Sequence, residues 1–524
     1  MALVEMTVRN YRCFADDEPL RIQLGSGFTA LLGPNNCGKS TILRLFYELR
    51  DVFNACFPLD HLQAMAGGNP IGANIRGAQD NQEIFCNRNA RPISIEFVLL
   101  GASDDEISRI VLTLDRATPA ECRASLYSGP AGKPVRRGLS RDNVHGFEGS
   151  NGNHVTLPEE PWRFLQAITR GGFYIPAFRN AITEGTGTYF DLQIGSSFIA
   201  QWSQWKTGNH RASNEAALRL SEELARIFGI RTLEINEARG ENTLQVVVNG
   251  RSYRLREIGA GFSQFLVVLA NVVIQRPKYL LIDEPELNLH PSLQADFLAT
   301  LASYCPQGVM FATHSIGLAR SQAEAIFTCS RKGDTHLVRA IETTPSYAEF
   351  LGELSHTAFQ ELGSSAILLV EGVTEVKAVQ QLLRGVGKEH TTVVLPLGGA
   401  QLIRGGLVEE LSQLKRLSHS VHVLIDSERK SAEEPIDQAR ADFVRDCTTL
   451  GFRVHTLERR AFENYFTDDA LQRAIGTGVR ALGPHESLAG RRDGWKKSDN
   501  WRVCRELSWN AIEATDLGKF LKGI

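Results

Sequence analysis

The octapeptide Gly33-Pro34-Asn35-Asn36-Cys37-Gly38-Lys39-Ser40 constrains this chain more than any other stretch. It follows an apolar, strand-like run, Phe28 to Leu32, and opens the helically spaced Thr41-Ile-Leu-Arg-Leu-Phe-Tyr-Glu-Leu-Arg50. It therefore has both flanks that a phosphate-cradling loop requires. Its glycines let backbone N–H groups face a β-phosphate, Lys39 reaches the β and γ oxygens, and the Ser40 hydroxyl, beside Thr41, is placed to ligate Mg²⁺. A nucleotide-binding α/β domain is the expectation.

Two distant strands carry the groups such a loop works with. Tyr279-Leu-Leu-Ile-Asp283-Glu284 is an apolar strand ending in two carboxylates, continued by Pro285-Glu286-Leu-Asn-Leu-His290-Pro291. Adjacent acids also suit a solvated turn, but beside a phosphate loop Asp283 holds Mg²⁺ through water and Glu284 polarises the attacking water. Val309-Met-Phe-Ala-Thr-His314-Ser315 is a further strand, ending in a histidine where a γ-phosphate sensor would sit.

The C-terminal third repeats the theme of acids at strand ends. Ile367 to Val370 leads into Glu371, with Glu375 four residues on; Thr392 to Leu397 leads into Gly398-Gly399; Val423-Leu-Ile425 leads into Asp426-Ser427-Glu428. Strands alternating with helical text predict a small parallel α/β domain whose chemistry gathers at the carboxyl edge of the sheet. Four carboxylates there repel one another unless cations lie among them. We therefore read Glu371, Glu375, Asp426 and Glu428 as a Mg²⁺ or Mn²⁺ site of one or two metals, for phosphoryl transfer on a nucleic-acid backbone.

Composition sets the frame. A length of 524 residues suggests two to four domains at about 150 residues each. Hydrophobic residues at 43% and charged residues at 22% exclude disordered, collagen-like and disulfide-scaffold classes. The net charge of −3 excludes nucleic-acid coating by bulk charge, so any such contact needs a local patch. One candidate is residues 491–505, in which six Arg/Lys, including Arg491, Arg492, Lys496 and Lys497, stand against two Asp, with Trp495 and Trp501 between them. That mixture suits phosphate contact plus base stacking, and a solvated helix face fits it too. The loop-like Lys133 to Arg141 is a weaker patch. The nine cysteines show no CxxC pair or zinc spacing, which suits reduced thiols. No run of 18 apolar residues and no secretory opening occurs, so a soluble, cytoplasmic protein without membrane contact is expected. Residues 122–170 read as loop-like, and Asn214 to Phe228 as an amphipathic helix.

The phosphate loop, the Asp-Glu strand and the His314 strand, in this order, resemble the ATP-binding-cassette superfamily. Asn10-Tyr-Arg-Cys-Phe14 with Asp283-Glu-Pro-Glu-Leu-Asn-Leu-His-Pro291 resembles its RecF/SMC/OLD-like branch. The resemblance implies ATP sandwiched between two heads, each lending a signature loop. Here that loop is Glu257-Ile-Gly259-Ala-Gly261-Phe-Ser263-Gln264, with Gly259 where the family has serine. Backbone N–H groups and Ser263 would then meet the γ-phosphate, and slow turnover is expected.

The C-terminal acids resemble the Toprim domain, in which a Glu and a DxD motif serve metal binding and acid/base catalysis; here the motif is Asp426-Ser427-Glu428, one methylene longer. Together the two halves resemble the OLD family, which includes the nuclease components of Gabija-type and retron-associated anti-phage systems. The resemblance adds Glu463, before Asn464-Tyr465, as a metal ligand. It also adds a C-terminal lysine stabilising the pentavalent phosphate, with Lys519 preferred over Lys497 and Lys522. It covers roughly 1–120, 255–430 and part of the tail.

The expected architecture is α/β: an ABC-type, RecF/SMC-like ATPase head over 1–360, with an insertion at about 120–255 that includes a helical, dimerisation-competent segment near 180–235, and a Toprim unit over 361–524. The expected activity is ATP-regulated, metal-dependent cleavage of DNA by a homodimer or tetramer joined through the ATPase domain. An accessory helicase, or a retron reverse transcriptase with its ncDNA, would act beside it. Two alternatives stay open: a non-nucleolytic RecF-like DNA-binding clamp, and a Toprim effector that cuts RNA.

Overall fold

In Leu20–Gly25 and Ile93–Leu99 buried side chains alternate with more exposed ones, the period-two pattern of antiparallel strands with one wet face. A computed structural model describes residues 2–78, 80–138, 146–150, 152–177, 186–238, 241–286, 289, 291–340, 366–389, 391–397, 411, 420–491 and 493–524. These strands belong to a nine-stranded antiparallel sheet. Its order runs from His154–Val155 through Phe147–Gly149, Lys133–Arg137, Glu121–Ser128, Ile107–Leu114, Ile93–Leu99 and Ala2–Arg9 to Leu20–Gly25, with Ile71–Gly72 paired to Glu121–Ser128.

Phe28–Leu32, Tyr279–Asp283 and Gly308–Thr313 are buried at every position, as parallel strands covered on both faces must be. They sit in a six-stranded sheet of order Gly172–Ile175, Tyr279–Asp283, Gly308–Thr313, Phe28–Leu32, Ala325–Lys332 and Thr335–Ala340. All its pairs are parallel except the last. The helix Lys39–Glu48 joins the two sheets into one core, because Ile42, Leu43 and Phe46 pack with Val4, Ile95, Phe97 and Met310.

The middle of the chain departs from the sequence reading. Much of 122–170 is not loop: it supplies Glu121–Ser128, Lys133–Arg137, Phe147–Gly149, His154–Val155 and the helix Glu159–Thr169. The signal was weak because these outer strands bury few apolar residues, such as Val135 and Phe147, between exposed charged ones. Gly172–Ile175, inside the span read as an insertion, is an edge strand of the phosphate-loop sheet and pairs with Tyr279–Asp283. The amphipathic text of Asn214 to Phe228 lies in a helix, Arg211–Ile227.

The chain divides into two compact units, Met1–His314 with Ala325–Ile341, and Ser315–Glu324 with Glu342–Ile524. The boundary expected at 360/361 falls outside the described residues. The second unit carries a four-stranded, wholly parallel sheet of order Thr392–Pro396, Ala366–Val370, Val421–Ile425 and Arg453–Thr456. Its two central strands are buried throughout. Among the described residues, no helix is long and apolar enough to cross a membrane.

Candidate functional site

The phosphate loop of the first unit owes its shape to its two motif glycines. Gly38 caps the following helix at φ 101°, a left-handed backbone that costs other residues strain. A Cβ on Gly33 would stand 2.1 Å from the Cys329 carbonyl oxygen. Lys39 is buried, and its Nζ donates to Gly33 O at 2.7 Å and Pro34 O at 2.9 Å, with His314 Nε2 at 3.4 Å. The ammonium thus rests on carbonyl dipoles at the position where phosphate oxygens would receive it. Pro34, Asn35, Asn36 and Ser40 are exposed around it.

Asp283 ends its strand 4% exposed and hydrogen-bonds Ser40. Burial, partly offset by Ser40 and reinforced by Glu284, raises its carboxyl to about 6. One of its oxygens, Oδ1, is buried with no hydrogen-bond partner. A buried orphan carboxylate oxygen beside a hydroxyl is the donor set a hard divalent cation satisfies, so Ser40 and Asp283 fit Mg²⁺. Glu284 adopts φ 48°, a left-handed strain typical of functional turns, and its Oε1 lies 3.1 Å from His314 Nε2. Glu286 was passed over in the sequence. Its Oε1 accepts from Thr313 Oγ1 at 2.7 Å and from the His314 amide at 2.9 Å, tying the acidic turn to the histidine strand.

The expected signature loop opens the helix Ala260–Gln275, with Gly259 at its N-cap and exposed. Ser263 does not face outward: it is buried, and its hydroxyl donates to Leu255 O at 3.0 Å. The γ-phosphate role assigned to it is withdrawn, because the first helical turn points that side chain back into its own chain. Gly261 follows in the same turn.

In the second unit, register sets Val370 against Leu424, so Glu371 leaves its strand level with Ile425, one residue before Asp426 at the carboxyl edge. Glu371 Oε1 accepts the Asp426 amide at 3.0 Å and lies 3.5 Å from Arg440 Nη2. Asp426, Glu375 and Glu463 are buried, and all three face one cation: Lys497 Nζ lies 3.6 Å from Glu463 Oε1, 3.8 Å from Glu375 Oε1 and 4.0 Å from Asp426 Oδ2. Burial, with repulsion from the Glu371 and Glu375 carboxylates, pushes the Asp426 carboxyl well up, against the pull of Lys497. Burial likewise raises Glu463. Its Oε2 is buried without a partner, again an oxygen that a cation would satisfy. Glu428 stands apart at φ 54°, its carboxylate on Arg460 at 2.8 Å. Among the described residues no three acidic, histidine or cysteine side chains converge closely enough to hold a metal ion; the acids gather around Lys497.

Three sequence assignments change here. Lys519 is exposed on the helix Asp516–Gly523, whereas its rival Lys497 stands among the acids; a lone lysine carries no spacing signal that could have told them apart. Lys522 pairs with Glu513 at 2.8 Å. Trp495 and Trp501, each 4% exposed, are core residues and not a stacking platform: Trp495 Nε1 donates to Asn500 Oδ1 and its ring tilts on Phe466. Arg491 pairs with Asp493 and covers the Trp495 ring. Lys496 is exposed. Arg492, Gly398, Gly399 and His290 lie outside the described residues.

Residues 1–107 match the family model of the AAA ATPase domain. With the phosphate loop and its carboxylates in place, the first unit is an ATPase-type nucleotide-binding unit. Among solved structures, the chain is similar to an Smc head bound to the C-winged helix domain of ScpA, at 13% identity and TM-score 0.37 over 65% of this chain and 98% of that one. It is also similar to the SMC head domain from Thermotoga maritima, at 14% identity and TM-score 0.31 over 65% and 100%. A third is an Smc head with an extended coiled coil bound to the C-terminal domain of ScpA derived from Pyrococcus furiosus, at 13% identity and TM-score 0.35 over 68% and 100%. A search of curated proteins gave no match.

Proposed function

We propose that the chain is an ATP-regulated, divalent-metal-dependent DNA endonuclease of the OLD type, acting in anti-phage defence as a homodimer or tetramer joined through its ATPase units. The observation that carries this reading is the set of buried acids Glu375, Asp426 and Glu463 around Lys497 at the carboxyl edge of a parallel sheet. Buried like-charged carboxylates are costly and persist where a site uses them.

In the ATPase unit, Lys39 would leave the Gly33 and Pro34 carbonyls for phosphate oxygens, Ser40 and Asp283 would hold Mg²⁺, and Glu284, beside His314, would orient the attacking water. In the second unit the acids as placed stand around Lys497 and are too far apart to hold an ion; Glu371, Glu375, Asp426 and Glu463 would have to close together as Lys497 moves off them to hold Mg²⁺ or Mn²⁺, which when bound supplies charge neutralisation and an acidified water. Lys497 stabilises the charge that develops on the phosphate, and Arg440 fixes the rotamer of Glu371.

Supercoiled plasmid incubated with Mg²⁺ or Mn²⁺, with and without ATP, tests this. Cleavage that disappears in Glu371→Ala supports it, and the response of Lys39→Ala reports whether ATP licenses or restrains cutting. Absence of cleavage in every condition, with ATP hydrolysis intact, refutes the nuclease. One observation favours a second reading, a DNA-binding ATPase clamp of the RecF kind: Lys497 already supplies a cation to the acids.

A further inference from the structure

The strands Gly308–Thr313 and Ala325–Lys332 flank the phosphate-loop strand Phe28–Leu32, one on each side. The segment that crosses between them, Ser315–Glu324, nevertheless belongs to the second unit. Ser315 caps its helix, Ile316–Gln322, and its hydroxyl accepts the Leu318 amide at 3.1 Å. One peptide bond therefore separates His314, read as the γ-phosphate sensor, from the cap of a helix that packs on Val373–Gly385 and Thr392–Pro396 of the second unit. Proposed nucleotide chemistry ends at His314, and nothing in it explains why the next residues serve the other unit.

Val373–Gly385 meets the acid site with one side chain and the crossover with another. Glu375, in its first turn, lies 3.8 Å from Lys497 Nζ. Lys377, two residues on and so about 200° around the helix, is 1% exposed and donates to Glu324 Oε1 at 2.5 Å. Burial lowers the Lys377 ammonium from its ordinary value, and the Glu324 carboxylate opposes this. Removing one partner of such a pair strands the other, so the two side chains must move together. The same helix packs along Asn500–Glu506. The short turn Lys497–Asp499 leads directly into Asn500–Glu506, and Asp499 Oδ2 accepts the Lys496 amide at 3.3 Å. The helix that bears Glu375 thus touches both the segment that follows His314 and the segment that follows Lys497.

We propose that Glu324 and Lys377 are positioning residues that transmit the state of the phosphate loop to the acid site, by fixing the crossover Ser315–Glu324 to the helix that carries Glu375. His314 Nε2 lies 3.4 Å from Lys39 Nζ and 3.1 Å from Glu284 Oε1, so a phosphate that draws Lys39 off the Gly33 and Pro34 carbonyls also changes the surroundings of His314. The change passes through Ser315 into Ile316–Gln322. The Glu324–Lys377 pair makes Val373–Gly385 follow, since lagging behind would leave a buried ammonium without its carboxylate. A small helix shift is enough: it alters the distance between Glu375 and Lys497, and the acids hold an ion only once Lys497 has moved off them. The coupling rests on reading the first unit as the ATP site and the acids of the second as a metal site, and it gives ATP regulation a route through named residues.

The test is amide hydrogen exchange of the full chain in Mg²⁺, with and without saturating AMP-PNP, a non-hydrolysable ATP analogue whose binding is measured separately by calorimetry. In the native chain the nucleotide should change exchange in the peptide ending at His314, and by at least about fivefold in Val373–Gly385 and Asn500–Glu506. Lys377→Met, which roughly keeps the side-chain volume, should still bind the nucleotide and respond at His314 but lose the response in both helices. Glu324→Ala should do the same, and decides alone if Lys377→Met fails to fold. Glu324→Gln, which keeps an acceptor oxygen for Lys377, should recover most of the response. Helices that respond as in the native chain in either disrupted variant overturn the proposal. So do helices loosened equally with and without nucleotide, the mark of a pair that only holds the fold, and a native chain that binds nucleotide with no response in the helices. A native chain that binds no nucleotide refutes the ATP reading and the coupling with it. A native chain whose helices respond but which cleaves no plasmid in Mg²⁺ or Mn²⁺ supports the coupling and refutes the nuclease.

Discussion

Lys497 Nζ lies 3.6 Å from Glu463 Oε1, so the cation of the second site comes from the helical tail and not from the last helix, where Lys519 sits. Lys497 also opposes the burial that raises Glu463 and Asp426. Lys497→Met should lower plasmid cleavage about 100-fold or more, the scale of losing a transition-state charge partner, whereas Lys519→Met should change it less than about twofold. Initial rates of nicking at saturating Mg²⁺ decide between them; equal effects would remove Lys497 from the site.

Trp495 and Trp501 behave as core residues in this fold, so their truncation should be felt as lost stability. Trp495→Ala leaves a cavity beside Phe466 and unpairs Asn500, at a cost of about 3–5 kcal/mol. Thermal unfolding of the second unit should shift down by several degrees. A normal unfolding temperature with weakened single-strand DNA binding would restore the stacking role.

What the sequence disclosed was local chemistry. Gly33 to Ser40, Asp283-Glu284 and Glu371 stood out because contiguous glycines or acids follow apolar runs that announce a strand, and the structure places each at a strand end. What it withheld depends on register across long separations. Cys329 reaches Gly33 only through parallel pairing of strands some 300 residues apart in sequence. Arg440 sits in an ordinary amphipathic helix, with nothing in its spacing to point at Glu371. Trp495 and Trp501 among arginines read equally well as a stacking surface or as core, and only burial separates the two. Ser263 sat at the expected motif position, but its hydroxyl direction was set by the helix start.

Gly259 offers a gain-of-function test of the signature loop. It occupies an N-cap with no side-chain cap, and a Cβ there would meet nothing within 4 Å. Gly259→Ser therefore fits without strain, and serine is a favoured cap residue, so stability should hold or rise by a few tenths of a kcal/mol. If slow turnover stems from the missing hydroxyl, steady-state ATP hydrolysis should rise about tenfold. A folded variant with unchanged turnover would separate this loop from the γ-phosphate.

Glu286 positions His314 through one carboxylate oxygen shared by the Thr313 hydroxyl and the His314 amide. Glu286→Ala should free the histidine strand and lower kcat for ATP by about 10–100-fold, with KM within about threefold, since misplacing a catalytic group by a fraction of an ångström costs rate before binding. Glu286→Gln keeps an acceptor oxygen and should recover most of the rate. A fall in KM-limited binding with kcat preserved would instead make Glu286 part of nucleotide capture.

Asp516 ties the last helix to the second sheet and should give that unit a distinct acid response. Burial alone would raise its carboxyl, but hydrogen bonds with His455 at 3.0 Å, Tyr465 at 2.6 Å and the Glu458 amide at 2.9 Å outweigh this and hold it at about 2. The folded value lies below the unfolded value of about 3.9, so the unfolded chain binds more protons between them. The contribution is thus fully present above about pH 4 and disappears as the pH falls through about 2. With some solvent screening allowed for, this amounts to about 1–2 kcal/mol. Asp516→Asn should lower the urea-unfolding free energy of the second unit by that amount at pH 6, and the gap from the native chain should shrink steadily between pH 4 and pH 2. A gap independent of pH over that window would mean that the three hydrogen bonds act through geometry alone and not through the carboxylate charge.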